Sequence, residues 1–362
     1  MENKFNQKIK GNDNVQQHID TQIINQYSVS GVTEEQVRAI SIQTALEICH
    51  EYNTLSRNLI NERLNDFEKV VVDRIGNIEH SLNEFSNPSF VWQYKQAQIQ
   101  AAISGEENGY KLLCELLIHR IKKEENKYSQ TGINGAIKIV SELSDSCLSA
   151  LTILSCVLRA VRPTSLSIDE GLENMNTLYG LIIKDSTLPT GYDWLDQLDI
   201  LNAIRINQFS SFPKFSEIAV QIFSNYIAIG IKKETENYKR ALLLQEKIGV
   251  DLLRENPLLP EYVKLPFSKE QIDGLYISIN GQNIQLNSIP EIIEIFDLYE
   301  KNAAYQKEAL STFMDMLDSY NYLKIVHDWW DKIDRSCSLT AIGRVLGHAN
   351  AKKCYPNFPD ID

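Results

Sequence analysis

Several signatures of enzymes and membrane proteins are missing from the sequence. It has no P-loop, no GxGxxG and no GxSxG motif, and His50-Glu51 does not begin a zincin motif because position 54 is a threonine. The longest apolar stretches, 147–161 and 218–231, are shorter than the ~18–20 residues that a membrane span needs. We therefore expect no catalytic residues, no metal, no cofactor and no membrane partner.

Positive charge is also in short supply. The chain has 36 Lys and Arg against 48 Asp and Glu, a formal net charge of −12. Phosphate backbones repel an acidic chain, so nucleic acid is not an expected partner. The six cysteines form no CxxC pair, which favours reduced thiols over a disulfide framework. Because MENKFNQKIK also lacks the apolar core of a signal peptide, we predict a cytoplasmic protein.

The first 30 residues, called the leader below, contain no proline and are rich in asparagine and glutamine. From position 15 onward the even positions are almost all polar, whereas the odd positions carry Val15, Ile19, Ile23, Tyr27 and Val29. This alternation predicts a strand, and the turn-prone 11–14 predicts that it folds back on residues 5–10. An isolated hairpin is barely stable in water, so it must pack on its own subunit or pair with copies. Asn/Gln content and low net charge favour pairing between copies.

A capping box, Thr33 to Gln36, predicts the start of a helix. Apolar residues then recur every three or four positions until Asn87-Pro88, which predicts one coiled-coil-like helix over 33–87. At 1.5 Å per residue a helix of some 50 residues would be about 75 Å long, and its apolar seam would need a partner. The seam residues that we predict to contact another copy are Leu55, Leu59, Phe67, Val71 and Ile78.

The remaining chain predicts a mainly α protein in four parts. These are a polar β-prone oligomerisation segment, a long amphipathic helix, a helical body and a C-terminal region with one hairpin and helices, over 1–32, 33–87, 88–265 and 266–362. In the body, helices are predicted over 192–207, 213–233 and 234–255, among others, with prolines as breaks. In the small C-terminal α+β region, Asn280-Gly281 predicts a hairpin that pairs Ile277 with Ile284. One helix from Pro290 to about Asp331 should follow.

Three further hypotheses concern the C-terminal region. His327, Asp328 and His348 could converge into a hydrolase site, although isolated histidines are usually structural. Trp329-Trp330 could stack a ligand, but packing in a core or interface is the favoured interpretation. The hairpin, helix and LTxxG run over 339–347 could form a winged helix that senses a ligand or binds nucleic acid through Arg344, Lys352 and Lys353, although basic residues are sparse there.

The segment Gly11-Asn12-Asp13-Asn14-Val15-Gln16 resembles the GDN/GNN-x-(V/I)-Q segments at the N-termini of bacterial proteins linked to amyloid-type signalling and phage defence. The order of parts resembles an uncharacterised bacterial family with a polar β-prone leader, a GVT sequence before a long helix, a helical body and a terminal LTxxG run. The matching residues here are Gly31-Val32-Thr33 and Leu339 to Gly343. The resemblance implies assembly and carries over no catalytic residue.

These patterns favour a non-enzymatic, homo-oligomerising scaffold or sensor, and the resemblance adds phage defence as its setting. The expected partners are copies of itself and another protein of the same pathway. The alternatives are a ligand-sensing or nucleic-acid-binding regulator and a hydrolase with an unrecognised site. Whether the leader strands pair within one chain or between chains stays open at this point.

Overall fold

The computed structural model describes residues 32–50, 54–76, 78, 81–122, 127–163, 165–184, 186–279 and 281–360. Helices predominate, and the strands are short and antiparallel, which confirms the predicted mainly α fold. The chain divides into two units, Met1–Leu143 and Ser144–Asp362. This division differs from the four predicted parts, because its one boundary falls inside the predicted helical body.

The N-terminal unit is helical throughout its described part. Thr33 and Gln36 form the predicted capping box: the Thr33 N–H donates to Gln36 Oε1 over 2.8 Å, and the Gln36 N–H donates to Thr33 Oγ1 over 3.3 Å. A short 3-10 helix, Ser81–Ser86, precedes the third α-helix. The helices are α1 (Glu34–His50), α2 (Thr54–Ile75), α3 (Pro88–Ser104), α4 (Glu107–Lys122) and α5 (Lys127–Ile139).

The single helix predicted over 33–87 is wrong. Its sequence forms α1, α2 and the 3-10 helix, and α2 folds back along α1. Arg38 near the start of α1 pairs with Glu68 near the end of α2 at 3.4 Å, whereas Ile48 at the end of α1 packs with Ile60 in α2. The two helices are therefore antiparallel, and the apolar seam that needed a partner finds it within the same unit.

Aromatic side chains fill the centre of the N-terminal unit. The ring of Tyr94 in α3 lies 6.1 Å from that of Phe67 in α2 and 5.2 Å from that of Phe85. The Tyr94 hydroxyl is 2.6 Å from the Ser41 hydroxyl of α1, and Thr44 donates to the buried Gln98 amide oxygen. These bonds satisfy polar groups that would be costly to bury alone, and they fix the register of α1 on α3.

The C-terminal unit mixes helices with short strands. In chain order the elements are α6 (Asp145–Leu158), α7 (Ile168–Ile183), α8 (Asp193–Ile200), β1 (Ile204–Asn207), α9 (Phe215–Ile222), α10 (Ser224–Ile227), β2 (Ile231–Lys232), α11 (Glu236–Ile248), β3 (Arg254–Glu255), β4 (Tyr262–Lys264), β5 (Tyr276–Ile279), β6 (Gln282–Gln285), α12 (Pro290–Asp297), α13 (Ala303–Asp318), α14 (Asn321–Trp330), β7 (Ser336–Leu339) and α15 (Ala341–Cys354).

The last helix of the chain lies in the core of this unit. In α15 the continuous segment 345–351 is buried and packs on α6. A Cβ at Gly347 would lie 2.6 Å from Ser155 Cβ of α6, so only glycine permits this close approach. Strand β7 pairs with β1, with Ile204 opposite Leu339. The predicted helix 192–207 is therefore wrong beyond Ile200, since its end belongs to this strand pair.

A second core in the same unit lies beneath two small sheets. Strands β2, β4 and β3 form one, and β5 and β6 form the predicted hairpin, with Ile277 opposite Ile284. Helices α11 and α12 pack on the same apolar cluster. Helices predicted over 213–233 and 234–255 end early, because β2 and β3 replace their last residues. The helix predicted from Pro290 to Asp331 is three helices, α12 to α14.

Candidate self-association surface

The predicted leader contacts, Val15, Ile19, Ile23, Tyr27 and Val29, lie outside the described residues, as does the side chain of Leu55. The structure does fix where the leader joins the folded unit. The Val32 N–H donates to Asn83 Oδ1 over 3.2 Å, and the Val32 side chain is buried. A cavity of about 340 Å³ opens beside this junction and is lined partly by Val37, Val71 and Phe85. Val32, which follows the leader in the chain, is therefore anchored on the N-terminal unit.

The predicted seam residues differ in how deeply they are buried. Phe67 and Val71 are 0% and 1% exposed, and the Phe67 ring packs against Tyr94 and Tyr110 of its own unit. Their predicted role as contacts to another copy is thus corrected: they are core residues of the α1–α2 pair. Ile78 is half-buried, whereas Leu59 is 49% exposed on α2. Leu59 is the one predicted seam residue whose described side chain lies largely at the surface.

Helix α1 carries apolar side chains on its outer face as well. Ile42 and Leu46, one turn apart, are 56% and 54% exposed, while Val37, Ile40 and Ile48 face the core. We call Ile42 and Leu46 the outer stripe. Isolated exposed apolar residues are ordinary, but a stripe on the helix that directly follows the leader is a candidate contact surface. A single apolar seam through this segment does not predict the stripe, because Ile42 and Leu46 lie off that seam.

The residues considered for a hydrolase site are held by other partners. Nδ1 of His327 lies 2.8 Å from Asp318 Oδ1, and its Nε2 lies 3.9 Å from Asp331 Oδ2. Asp328 pairs instead with Lys324 at 3.1 Å. His348 lies with its Nε2 3.1 Å from the Pro359 carbonyl oxygen, and burial lowers its pKa. Each histidine therefore has its own structural partners.

Metal-ligand clusters and reactive thiols are two further features of catalytic sites. Within the described residues, no group of three or more His, Cys, Asp or Glu side chains is placed to hold a metal ion. Cys114, Cys147, Cys156 and Cys337 are free, buried thiols. Burial raises the pKa of Cys114, Cys156 and Cys337 to about 12, so these three thiols stay protonated and unreactive at neutral pH.

The tryptophan pair is part of a core. Trp330 is 1% exposed and its Nε1 donates to the Pro213 carbonyl oxygen over 3.0 Å. Trp329 Nε1 donates to the Pro189 carbonyl oxygen over 2.8 Å, and its ring lies 5.5 Å from Trp194. Packing, not ligand stacking, accounts for both indoles. In the part of the chain that the structure describes, no helix has the length and apolarity to cross a membrane.

The LTxxG run does not present a recognition helix. Thr340 caps α15 by accepting the Gly343 N–H over 3.2 Å, and the following helix is mostly buried. Arg344 donates to the Leu339 carbonyl oxygen over 2.9 Å, and Lys352 pairs with Asp360 at 3.1 Å. A helix this deeply packed cannot enter a groove of DNA, which disfavours the nucleic-acid alternative.

Two features of the C-terminal unit were not predicted from the sequence. The ammonium group of Lys264 is buried against the carbonyl oxygens of Asn225 and Tyr226, at 2.9 and 2.5 Å. Burial lowers its pKa to about 7. Nearby, a groove of about 530 Å³ lies between α9–α10 and the start of α13, and its lining includes Ile227, Lys307 and Leu310. Neither has a local sequence signal, because burial and concavity arise only on folding.

Comparison with known proteins identifies the family of this chain but assigns no activity to it. A family model matches residues 31–362, so the chain belongs to that family, which is uncharacterised. The match begins immediately before Val32, and residues 1–30 lie outside it. No curated protein and no solved structure matches the chain.

Proposed function

We propose that the protein is a non-enzymatic scaffold or sensor that forms homo-oligomers through its leader, with a role in bacterial phage defence as the setting that the resemblance suggests. The observation that carries the proposal is the alternation of apolar and polar residues over 15–29, immediately before the point where the family match begins. A strand-prone, proline-free segment placed outside a shared folded domain has the character of an added assembly element.

The outer stripe supports the same proposal. Ile42 and Leu46 lie on the helix that starts at the anchored Val32–Thr33 junction. Their exposed side chains are available for contact between copies that the leader brings together. Burying two exposed aliphatic side chains per copy would then add about 1–3 kcal/mol to association, since each lies about half in water beforehand.

The test is the molar mass of the full-length protein by light scattering at micromolar concentration. We expect an oligomer, a shift toward monomer in Ile19→Ser/Ile23→Ser, and little change in the matched control Gln16→Ser/Gln22→Ser, which alters only the polar face. Circular dichroism should show all three proteins equally helical. A full-length protein that is strictly monomeric would contradict the proposal.

The groove in the C-terminal unit favours a second candidate, ligand sensing. Its volume is within the range of small-molecule sites, and Ile227, Ile229 and Leu310 supply apolar lining beside the cation of Lys307. Glu300 also lines the groove, but its Oε1 accepts from the backbone N–H groups of Lys301 and Asn302. The groove therefore suits a small molecule with an apolar body and one anionic group that pairs with Lys307. The probe is anilinonaphthalene sulfonate: its fluorescence should rise with the wild type and fall with Leu310→Trp or Lys307→Glu, but not with the surface control Leu243→Trp. Equal fluorescence for all variants would remove this candidate.

A further inference from the structure

The β5–β6 hairpin is a two-stranded sheet to which no third strand is joined within the described residues. One of its faces is anchored, because Ile277, Ile279 and Ile284 pack against the second core of the C-terminal unit. The other face is open: Tyr276 is 65% exposed, and Ser278 and Asn283 are also exposed. The hairpin is therefore packed on the core through one face while its other face is exposed to solvent.

The two outer edges of this hairpin are not equivalent. The Leu286 N–H donates to the Leu275 carbonyl oxygen over 3.0 Å, and Ile277 lies opposite Ile284. Residues along an antiparallel strand alternate between positions that bond to the partner strand and positions that do not, and Leu275 and Ile277 take the bonded positions. The backbone N–H and C=O groups of Tyr276 and Ser278 therefore point away from β6. Among the described residues, none bonds to these backbone groups. On the β6 side, by contrast, the Gln285 carbonyl oxygen accepts from the Ser288 hydroxyl.

The β5 edge also lacks the usual protection against pairing. Natural edge strands carry charges, proline or bulges that block the addition of another strand. The segment 275–286 contains no Lys, Arg, Asp, Glu or Pro, and it is itself rich in Asn and Gln. An unprotected edge of this kind favours β-strand addition, in which backbone hydrogen bonds provide affinity and alternate side chains provide specificity.

We propose that the leader of one copy adds to the β5 edge of a second copy as a third strand. The leader has the required alternation: the odd positions that carry Ile19 and Ile23 would extend the apolar face of Ile277 and Ile279. Its even, polar positions would lie beside Tyr276 and Ser278. This inference rests on the proposed function, because it names the surface that the leader binds.

The proposed contact is heterologous, since the leader and the β5 edge are different surfaces. Every copy carries one of each, so association continues from copy to copy into a ring or an open chain. Direct pairing of leaders would instead leave the hairpin free. Variants at the two ends of the contact distinguish these modes.

The experiment uses full-length variants. Ser278→Pro removes one outward N–H from the β5 edge, and Asn283→Pro is the matched control on the β6 edge, where a proline is equally compatible with edge geometry. We expect Ser278→Pro to raise the concentration for half-assembly at least about tenfold, and Asn283→Pro to change it little. Tyr276→Lys, which leaves the backbone intact, should act like Ser278→Pro and covers the case in which that proline impairs folding.

A mixing experiment supplies a second readout. Ile19→Ser/Ile23→Ser keeps the β5 edge, and Ser278→Pro keeps the leader, so their mixture should give a capped 1:1 dimer that does not grow. If both edge variants assemble like the wild type while the leader variant is monomeric, the proposed strand addition is wrong and leader-mediated assembly stands. If the leader variant also assembles like the wild type, the proposed function fails as well.

Discussion

The ammonium group of Lys264 lies 2.9 Å from the carbonyl oxygen of Asn225, and it is buried and bonded to backbone carbonyls. The Tyr226 carbonyl oxygen is the second acceptor. Both carbonyls belong to α10, and two other residues of that helix, Ser224 and Ile227, line the groove. One buried amine thus holds the helix that forms a groove wall.

This arrangement predicts a pH-dependent stability. Burial lowers the pKa of Lys264 to about 7 in the folded state, whereas an unfolded lysine keeps its proton to about 10.4. Between pH 7 and 9 the unfolded state therefore binds more protons, and the free energy of unfolding should rise with pH. In Lys264→Met this contribution is absent. Urea denaturation should show the wild type gaining about 1–3 kcal/mol relative to the variant over this interval; parallel pH profiles would contradict the assignment.

Glycines in α15 should tolerate no side chain. A Cβ at Gly343 would clash with the backbone carbonyl oxygen of Ala203, and one at Gly347 would meet Ser155. We expect Gly343→Ala to destabilise the protein by about 1–3 kcal/mol, because a backbone carbonyl cannot move aside cheaply. Gly274→Ala is the control, since a Cβ there meets nothing within 4 Å. Similar denaturation midpoints for both variants would show that α15 does not pack on Ala203 this closely.

Substitutions at two residues of α2 test whether its apolar seam lies in the core of one copy or in a contact between copies. Phe67 is fully buried within its unit and Leu59 is 49% exposed. Phe67→Ala should cost about 3–5 kcal/mol of unfolding free energy, whereas Leu59→Ala should change it by at most about 0.5 kcal/mol. Chemical denaturation at two protein concentrations measures both. A Phe67→Ala cost that vanished on dilution would place this side chain in a contact between copies, contrary to the structure.

The buried thiols should resist labelling. Burial raises the pKa of Cys114 and Cys156 to about 12, and Cys354 is only half-buried although its pKa is also raised. In native protein at pH 8 we expect Ellman's reagent to reach Cys354 well before Cys156, because the reaction needs both access and thiolate. Peptide mapping after timed labelling gives the order. Equal rates in urea-unfolded protein provide the control, and faster native labelling of Cys156 would contradict the prediction.

Local signals in the sequence were sufficient for some elements. The Thr33–Gln36 capping box and the hairpin register of Ile277 and Ile284 were predicted and are present. Each depends on neighbours within a few residues. The pairing of β1 with β7 could not be predicted, since four-residue strands far apart in the chain carry no local mark of their partner.

The fold-back of α2 on α1 was missed for a related reason. Apolar residues spaced by three and four positions predict a helical face, but the same pattern fits one long helix and two that pack together. No proline or glycine lies between Glu34 and Ile75 to mark the break. The candidate surfaces could not be predicted either. Nothing in the local sequence marks Ile42 of the outer stripe or Ser278 of the β5 edge as exposed, because their exposure depends on the folded structure.

The burial of α15 has a consequence for synthesis of the protein. This helix and β7 are synthesised after the other elements of the C-terminal unit, yet α15 completes the packing around α6 and β7 pairs with β1. A growing chain must therefore keep the faces of α6 uncovered until α15 has left the ribosome. Translation stopped before residue 336 would yield a C-terminal unit with an open core, a natural target for chaperones and proteases.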